Sequence, residues 1–410
     1  MNAETSSLPP TPSTTSARLA MGFACIGHTY SHLFTPIFFT LVPLALEKQL
    51  GLSHGETVSL IVAGNALFGF AAPLAGWLGD RWSATGMMAI FYLGTGFGMV
   101  MTGLSDGALA MGIWLAVTGT SASIYHPVGI AWLVRESVNT GTVLGINGIF
   151  GSLGAAMGAV MTGWLMHAMG WRAAYVVPGA VVCFTGILFV VALARGAVVE
   201  SKVDRKPPPP PVSRAETIRV YAILAFTMAC GGIIYNATNP ALPKAFALDF
   251  SGSGNGVLTV SYLVGLVYLA SGIMQVGGGK LADMYSARRI YLLTYLLQVP
   301  VLVLAGMISG GTLVGVAIVM VCLNPASLPA ENVLIARYTP PHRRALVYGL
   351  KFVVAIGIAS LGVVVEGAIF DFTGGFFWLF VTLAGFAAAG FAAIILLPIE
   401  AGQSQPAPAE

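Results

Sequence analysis

The chain has 410 residues, of which 9% are charged and 56% hydrophobic, with a formal net charge of +3. Soluble domains carry about 25% charged residues, so a soluble globule is excluded. Four cysteines, Cys25, Cys183, Cys230 and Cys322, lie inside apolar runs without metal spacing or loops to staple, and read as small buried hydrophobes.

Residues 1–17 are rich in Ser, Thr and Pro, and the apolar run after them is too long for a cleaved signal. It is expected to stay as the first transmembrane helix. A span takes about 20 apolar residues, and counting such runs predicts twelve helices. They fall at 19–46, 57–78, 85–104, 108–134, 142–168 and 174–194, then at 220–244, 256–278, 290–309, 312–335, 346–370 and 375–398. The segment 195–219 between the two sets carries both charge signs and the prolines Pro207 to Pro211, and reads as an extended linker. The expected domains are therefore a tail at 1–17, a six-helix bundle at 18–194, the linker, a second bundle at 220–398 and a tail at 399–410.

Basic residues set the orientation. With the N-terminus cytoplasmic, the inside loops hold Arg18, Arg81, Arg135, six residues of the linker, Lys280, Arg288, Arg289, Arg337, Arg343 and Arg344. The outside holds only Lys48, Arg172 and Lys244, so both termini are expected inside.

A polar turn, Gly76-Trp77-Leu78-Gly79-Asp80-Arg81, is echoed by Gly279-Lys280-Leu281-Ala282-Asp283, with Asp80 and Asp283 203 positions apart. Pro127 and Pro329 each precede an arginine by eight residues at an offset of 202, and Pro43 and Pro243, expected to end helices 1 and 7, lie 200 apart. A duplication with an even number of spans per copy gives parallel repeats, related by an axis along the membrane normal.

Twelve spans, a long central loop and this turn after helices 2 and 8 resemble the major facilitator superfamily over nearly the whole chain. The family turn reads Gly-x-Leu-Ala-Asp-Arg-x-Gly-Arg-Lys. The first copy keeps Gly76, Leu78, Asp80 and Arg81 but has Ser83-Ala84-Thr85 further on; the second keeps Gly279, Leu281, Ala282, Asp283 and the basic pair Arg288-Arg289, with Met284 in place of the Arg. Gly170-Trp171-Arg172 also matches a family element. The resemblance implies an all-α polytopic fold of two six-helix bundles. It further implies a cytoplasmic gate of Gly76, Asp80, Arg81, Gly279, Asp283, Arg288 and Arg289, with Asp80 and Arg81 gripping helix 11 near Arg344 to Tyr348. Ser121 to Pro127 is similar to the aromatic-His-Pro element of the fosmidomycin-resistance-like efflux branch, although Val128 stands where that branch often has an acid.

Ionisable groups inside a membrane are expensive and hence informative. His28 and His32 share one face of helix 1, His28 at about 15 Å depth, and are candidates for proton coupling or substrate contact; neutral packing histidines are the alternative. His126 precedes Pro127, which tends to kink helix 4. Glu331 and Lys351 lie about 9–11 Å from the cytoplasmic side and could pair, as a switch or as a static bridge. Glu366 has no sequence-local partner and could carry a proton if it faces a cavity. Tyr235, Asn236 and Asn239 form a polar patch on helix 7, either lining a cavity or joining helices. Helix 5 carries a ridge of Gly145, Gly148, Gly151, Gly154 and Gly158 suited to close packing.

The sequence has no phosphate loop, nucleophile elbow or metal motif. The expectation is therefore a non-enzymatic secondary transporter in the inner membrane, without cofactor or nucleic-acid partner, working as a monomer by alternating access. Proton-coupled export of a small solute is favoured over proton-coupled uptake, or over a non-transporting sensor or assembly factor of the same fold.

Overall fold

Apolar segments with no water to satisfy their main chain must bond within themselves, and in the computed structural model every regular element among the described residues is helical. The structure describes residues 14–135, 140–200, 214–252, 254–339 and 344–398. Among the described residues, eleven helices are long and apolar enough to cross a membrane, and one bent pair brings the number to twelve. In chain order they are α1 (Thr15–Leu50), α2 (His54–Phe70 with Ala72–Arg81, bent by 40°), α3 (Ala84–Leu104), α4 (Ala108–Arg135), α5 (Thr140–Met169) and α6 (Ala173–Ala194). The second set is α7 (Arg214–Phe250), α8 (Gly256–Met284), α9 (Ala287–Met307), α10 (Gly310–Tyr338), α11 (Leu346–Thr373) and α12 (Phe377–Ile395). Residues 14 and 398 come to one face, here the near face; the opposite one is the far face.

The two sets form two bundles joined along two helix pairs. Buried aromatics such as Phe38, Phe91, Tyr92 and Trp132 fill the first bundle, and Phe246, Tyr291, Tyr295 and Phe380 the second. α5 packs along α8, where a Cβ at Gly163 would come 2.4 Å from Ser261 Cβ and one at Gly265 2.5 Å from Val160. α2 packs along α11, with the Gly55 and Gly367 backbones in contact at the far end and Pro73 against Gly349 toward the near end.

The helices that break their regular pattern are the ones that meet at the centre. α1 tightens at His32–Leu33, whose N–H groups bond Thr29 and Tyr30 carbonyls at 3.2 Å, just before Pro36. α4 widens into a π turn, Tyr125–Gly129, around Pro127, and α11 does so at Val353–Gly357 before a 3₁₀ turn at Ile358–Ser360. Such turns absorb a missing donor or an inserted residue.

Proline does not stop every helix. Pro240 and Pro243 lie inside α7, which runs on to Phe250, and Pro43 begins a π turn after which α1 continues to Leu50. The expected ends of helices 1 and 7 at these prolines are thus corrected outward. One missing N–H is tolerated in a span whose neighbours satisfy the freed carbonyl.

Candidate functional site

The break in α1 and the π turn in α4 bring three histidines to one point near mid-depth. Ring centroids are 5.1 Å apart for His28–His32, 5.3 Å for His28–His126 and 5.2 Å for His32–His126. His28 Nδ1 lies 2.6 Å from the Asn147 carbonyl of α5, and its ring stacks on Tyr125 at 5.0 Å and 18°. The Tyr125 hydroxyl sits 2.7 Å from Ala24 O and 2.8 Å from Asn147 Oδ1, fixing α4 against α1 and α5. The ring of His28 fits because residue 151 has no side chain: a Cβ there would come 2.6 Å from Nε2 and Cε1. His126 stacks at 5.0 Å and 14° on Phe352, so the triangle touches the second bundle directly.

Next to Phe352, Lys351 Nζ lies 2.6 Å from Glu331 Oε1 and donates to Asn332 Oδ1 at 2.7 Å. Glu331 also receives the Tyr291 hydroxyl at 3.1 Å. Both charged residues are buried, Glu331 at 4% and Lys351 at 9% exposure. The pair lies wholly within the second bundle.

Glu366 belongs to a different cluster at the far face, formed with residues that the sequence did not single out. His54, at the start of α2, has Nε2 2.8 Å from Glu366 Oε1 and Nδ1 2.8 Å from Glu47 Oε1. Lys244 of α7 reaches Glu47 Oε2 at 2.6 Å. Two carboxylate acceptors on two ring nitrogens suit an imidazolium, which donates from both. Glu366 is fully buried, and its Oε2 has no hydrogen-bond partner among the described residues. Beside it, Asp371 accepts from Ser53 Oγ at 2.6 Å and from Gly55 N at 3.1 Å. α1 and α2 are thereby tied to α7 and α11. Glu47 and His54 flank a short turn in sequence, but Glu366 lies 312 positions beyond His54, and no local pattern joins them.

Tyr235 is 37% exposed, whereas Asn236 and Asn239 are buried. Asn236 Nδ2 donates to Gly232 O in its own helix, and Asn239 Oδ1 accepts from Tyr268 of α8 at 2.7 Å. Asn239 thus joins α7 to α8, whereas Asn236 is satisfied within α7.

At the near face Asp80 lies 3.2 Å from Arg135 Nη1 of α4, within its own bundle, and Arg81 lies over the Trp77 ring at 5.9 Å. A Cβ at Gly76 would meet Pro127 at 3.2 Å, so the turn packs on the proline of α4. Arg288 donates to Ile395 O at 2.8 Å, and the exposed Arg289 takes part in the N-terminal turn of α9, its main-chain N–H 3.3 Å from Ser286 Oγ. Gly279 lies within α8, and the side chains of Asp283 and Arg344 lie outside what the structure describes.

Known proteins share this architecture. A bacterial homologue of the human lysosomal transporter Spinster, in an inward-facing and unoccupied conformation, superposes with a TM-score of 0.70 at 13% identity over 94% of this chain and 95% of its own. The nucleoside transporter NupG gives 0.70 at 14% identity over 92% and 99%. At such identity the likeness is one of fold. A Mycobacterium tuberculosis protein named multidrug resistance protein B homolog is 31% identical over 102 residues, 24% of this chain and 19% of that relative, so the match spans less than a fifth of the relative's length. The family model of the Major Facilitator Superfamily matches residues 24–324 and 222–410. With nearly its whole length covered, the chain belongs to the Major Facilitator Superfamily and is a multi-pass membrane protein.

Proposed function

We propose that the protein exports a small amphipathic or anionic solute across the cytoplasmic membrane in exchange for protons, as a monomer with both termini in the cytoplasm. The near face is then cytoplasmic, in keeping with the excess of Lys and Arg in its loops. The observation that carries the reading is the chain Lys244–Glu47–His54–Glu366, half-buried at Lys244 and Glu47 and buried at His54 and Glu366. It joins the bundles at the far face and ends in a carboxylate oxygen without a donor among the described residues. A proton placed there cancels the attraction of Glu366 for His54, so protons arriving from outside favour separation of the far ends. Loss of the proton seals them again. Between these events the solute is held near the histidine triangle, where the bundles meet through His126 and Phe352. Export rather than uptake is supported by the partial match to a protein named for multidrug resistance.

Everted membrane vesicles loaded with an acid interior test this reading. A panel of amphipathic and anionic compounds is added while the interior pH is followed with a quenched dye. Alkalinisation by at least one compound is expected in wild type and is absent in Glu366→Gln. Compounds that instead enter proteoliposomes under an acid exterior establish uptake.

A further inference from the structure

The triangle of His28, His32 and His126 has a property that a solute-lining patch does not require: its imidazoles are set out as ligands. His28 presents Nδ1 to the Asn147 carbonyl at 2.6 Å. A carbonyl only accepts, so Nδ1 carries the hydrogen and Nε2 keeps a free lone pair. This is the outer contact that metal-bound histidines almost always make, fixing the tautomer and raising the basicity of the ligating nitrogen. Tyr125 on one side and Gly151 on the other hold the ring in place.

The other two rings are free to complete a set. Among the described residues, neither His32 nor His126 has a hydrogen-bond partner. One ligand nitrogen from each of the three residues falls within 4.8 Å of the others. Three nitrogens at 2.0–2.1 Å from a tetrahedral ion are about 3.4 Å apart, a closure that small side-chain rotations of the two rings without hydrogen bonds supply.

The donor set selects the ion. Three neutral nitrogens without carboxylate or thiolate suit zinc, nickel, cobalt or copper rather than magnesium or calcium. The cation beside them, Lys351, is held 2.6 Å from Glu331, so its charge is compensated within its own bundle. We infer that His28, His32 and His126 bind one divalent transition-metal ion, leaving a fourth position open toward the interface between the bundles. This site lies where the export reading holds its solute, but metal binding is measured without transport, so either reading can fail without the other.

Purified full-length protein in detergent, with any affinity tag removed, is stripped of metal and dialysed against Co²⁺. One bound ion per chain is expected, with the visible absorption of a nitrogen-coordinated tetrahedral ion. His32→Ala and His126→Ala each weaken binding at least tenfold. Gly151→Ala keeps all three ligands but pushes a Cβ into the His28 ring, and is expected to weaken binding as well. His167→Ala, at an exposed histidine of α5, leaves it unchanged. Less than stoichiometric Co²⁺ in wild type, or equal affinity in the His32 and His126 variants, overturns the site. Wild type alone provides a second measurement: Zn²⁺ should protect His32 and His126 from carbethoxylation, mapped by mass spectrometry. Equal modification with and without Zn²⁺ overturns the proposal even if the variants fail to fold.

Discussion

His54 Nε2 and Glu366 Oε1 face each other at 2.8 Å across the two bundles, with the second ring nitrogen drawn to Glu47. Neither His54 nor Glu366 is open to solvent, at 4% and 0% exposure. Removing one member of a buried pair leaves an uncompensated charge, at about 3–5 kcal/mol, whereas replacing both by apolar groups is often neutral. Such a contact biases one arrangement of the bundles strongly.

Glu366→Gln is therefore expected to release the far ends. The amide keeps the shape and an acceptor oxygen but removes the charge. Spin labels at Lys48→Cys and Leu248→Cys, on the exposed far ends of α1 and α7, report the separation once the four native cysteines are replaced. A shift toward longer distances is expected, corresponding to about 1–3 kcal/mol or a 5–150-fold change in population. Acidification should move wild type in the same direction and leave Glu366→Gln unchanged; an unaltered distance in the variant removes the contact from gating.

Lys351→Ala exposes the cost of the other buried pair. It leaves Glu331, at 4% exposure, with only the Tyr291 hydroxyl as a partner among the described residues and no cation at 2.6 Å. A loss of about 3–5 kcal/mol is expected, and adding Glu331→Gln to Lys351→Ala should recover part of it. Thermal melting of the four members of this double-mutant cycle gives the coupling; additive losses show that the two charges act independently.

Much of the architecture was legible in hydropathy, because a bilayer allows few alternatives to helices of about 20 residues. The twelve spans follow from this, whereas Gly76 to Arg81, expected as a turn between spans, continues α2 as helix up to Arg81. Glu331 and Lys351 could be matched from depth alone, since each is counted from a basic residue at the same face. His126 could not be joined to His28 in this way. The helices α1 and α4 are not consecutive, and the meeting depends on the tightened turn at His32 and the π turn at Tyr125–Gly129. His54 resembled a loop residue because α1 continues beyond Pro43 and brings Glu47 beside it.

Glu200 provides a test outside the membrane-spanning segments. Burial by itself raises its pKa, but hydrogen bonds from Ala84 N, Ser83 Oγ and Thr85 N and Oγ1 outweigh this and hold it below the usual carboxylate range. It caps the free amides at the start of α3, and the segment before it is anchored where Val199 N donates to Ser16 Oγ at 3.0 Å. Because the folded pKa is depressed, the stabilisation is complete above the ordinary carboxylate pKa of about 4.3. It is lost as pH falls through the folded value. Glu200→Ala should cost about 0.5–2 kcal/mol near neutrality, as for other helix caps, with the melting curves of variant and wild type converging at low pH. A constant difference across that range shows that the carboxylate charge is not the source.

Gly69→Ala tests whether close approach of the bundles, rather than charge alone, defines this arrangement. A Cβ at Gly69 would lie 2.5 Å from Gly357 Cα and 2.6 Å from Phe352 O. Both atoms are main chain, so no side-chain rotation can make room, and α2 and α11 must part. Overpacking of this kind costs about 1–3 kcal/mol. The displaced segment is the π turn that follows Phe352, the residue stacked on His126, so the wedge should also disturb the histidine triangle. The Lys48–Leu248 spin-label distance is expected to lengthen although every charge of the His54 cluster is intact. Gly22→Ala, where a Cβ would meet nothing within 4 Å apart from its chain neighbours and its own helix backbone, should leave that distance unchanged and raise the melting temperature slightly, since Ala is favoured over Gly within a helix by about 0.8–1.0 kcal/mol. If Gly69→Ala keeps the wild-type distance, the far-face ion pairs hold the bundles together without the glycine contact.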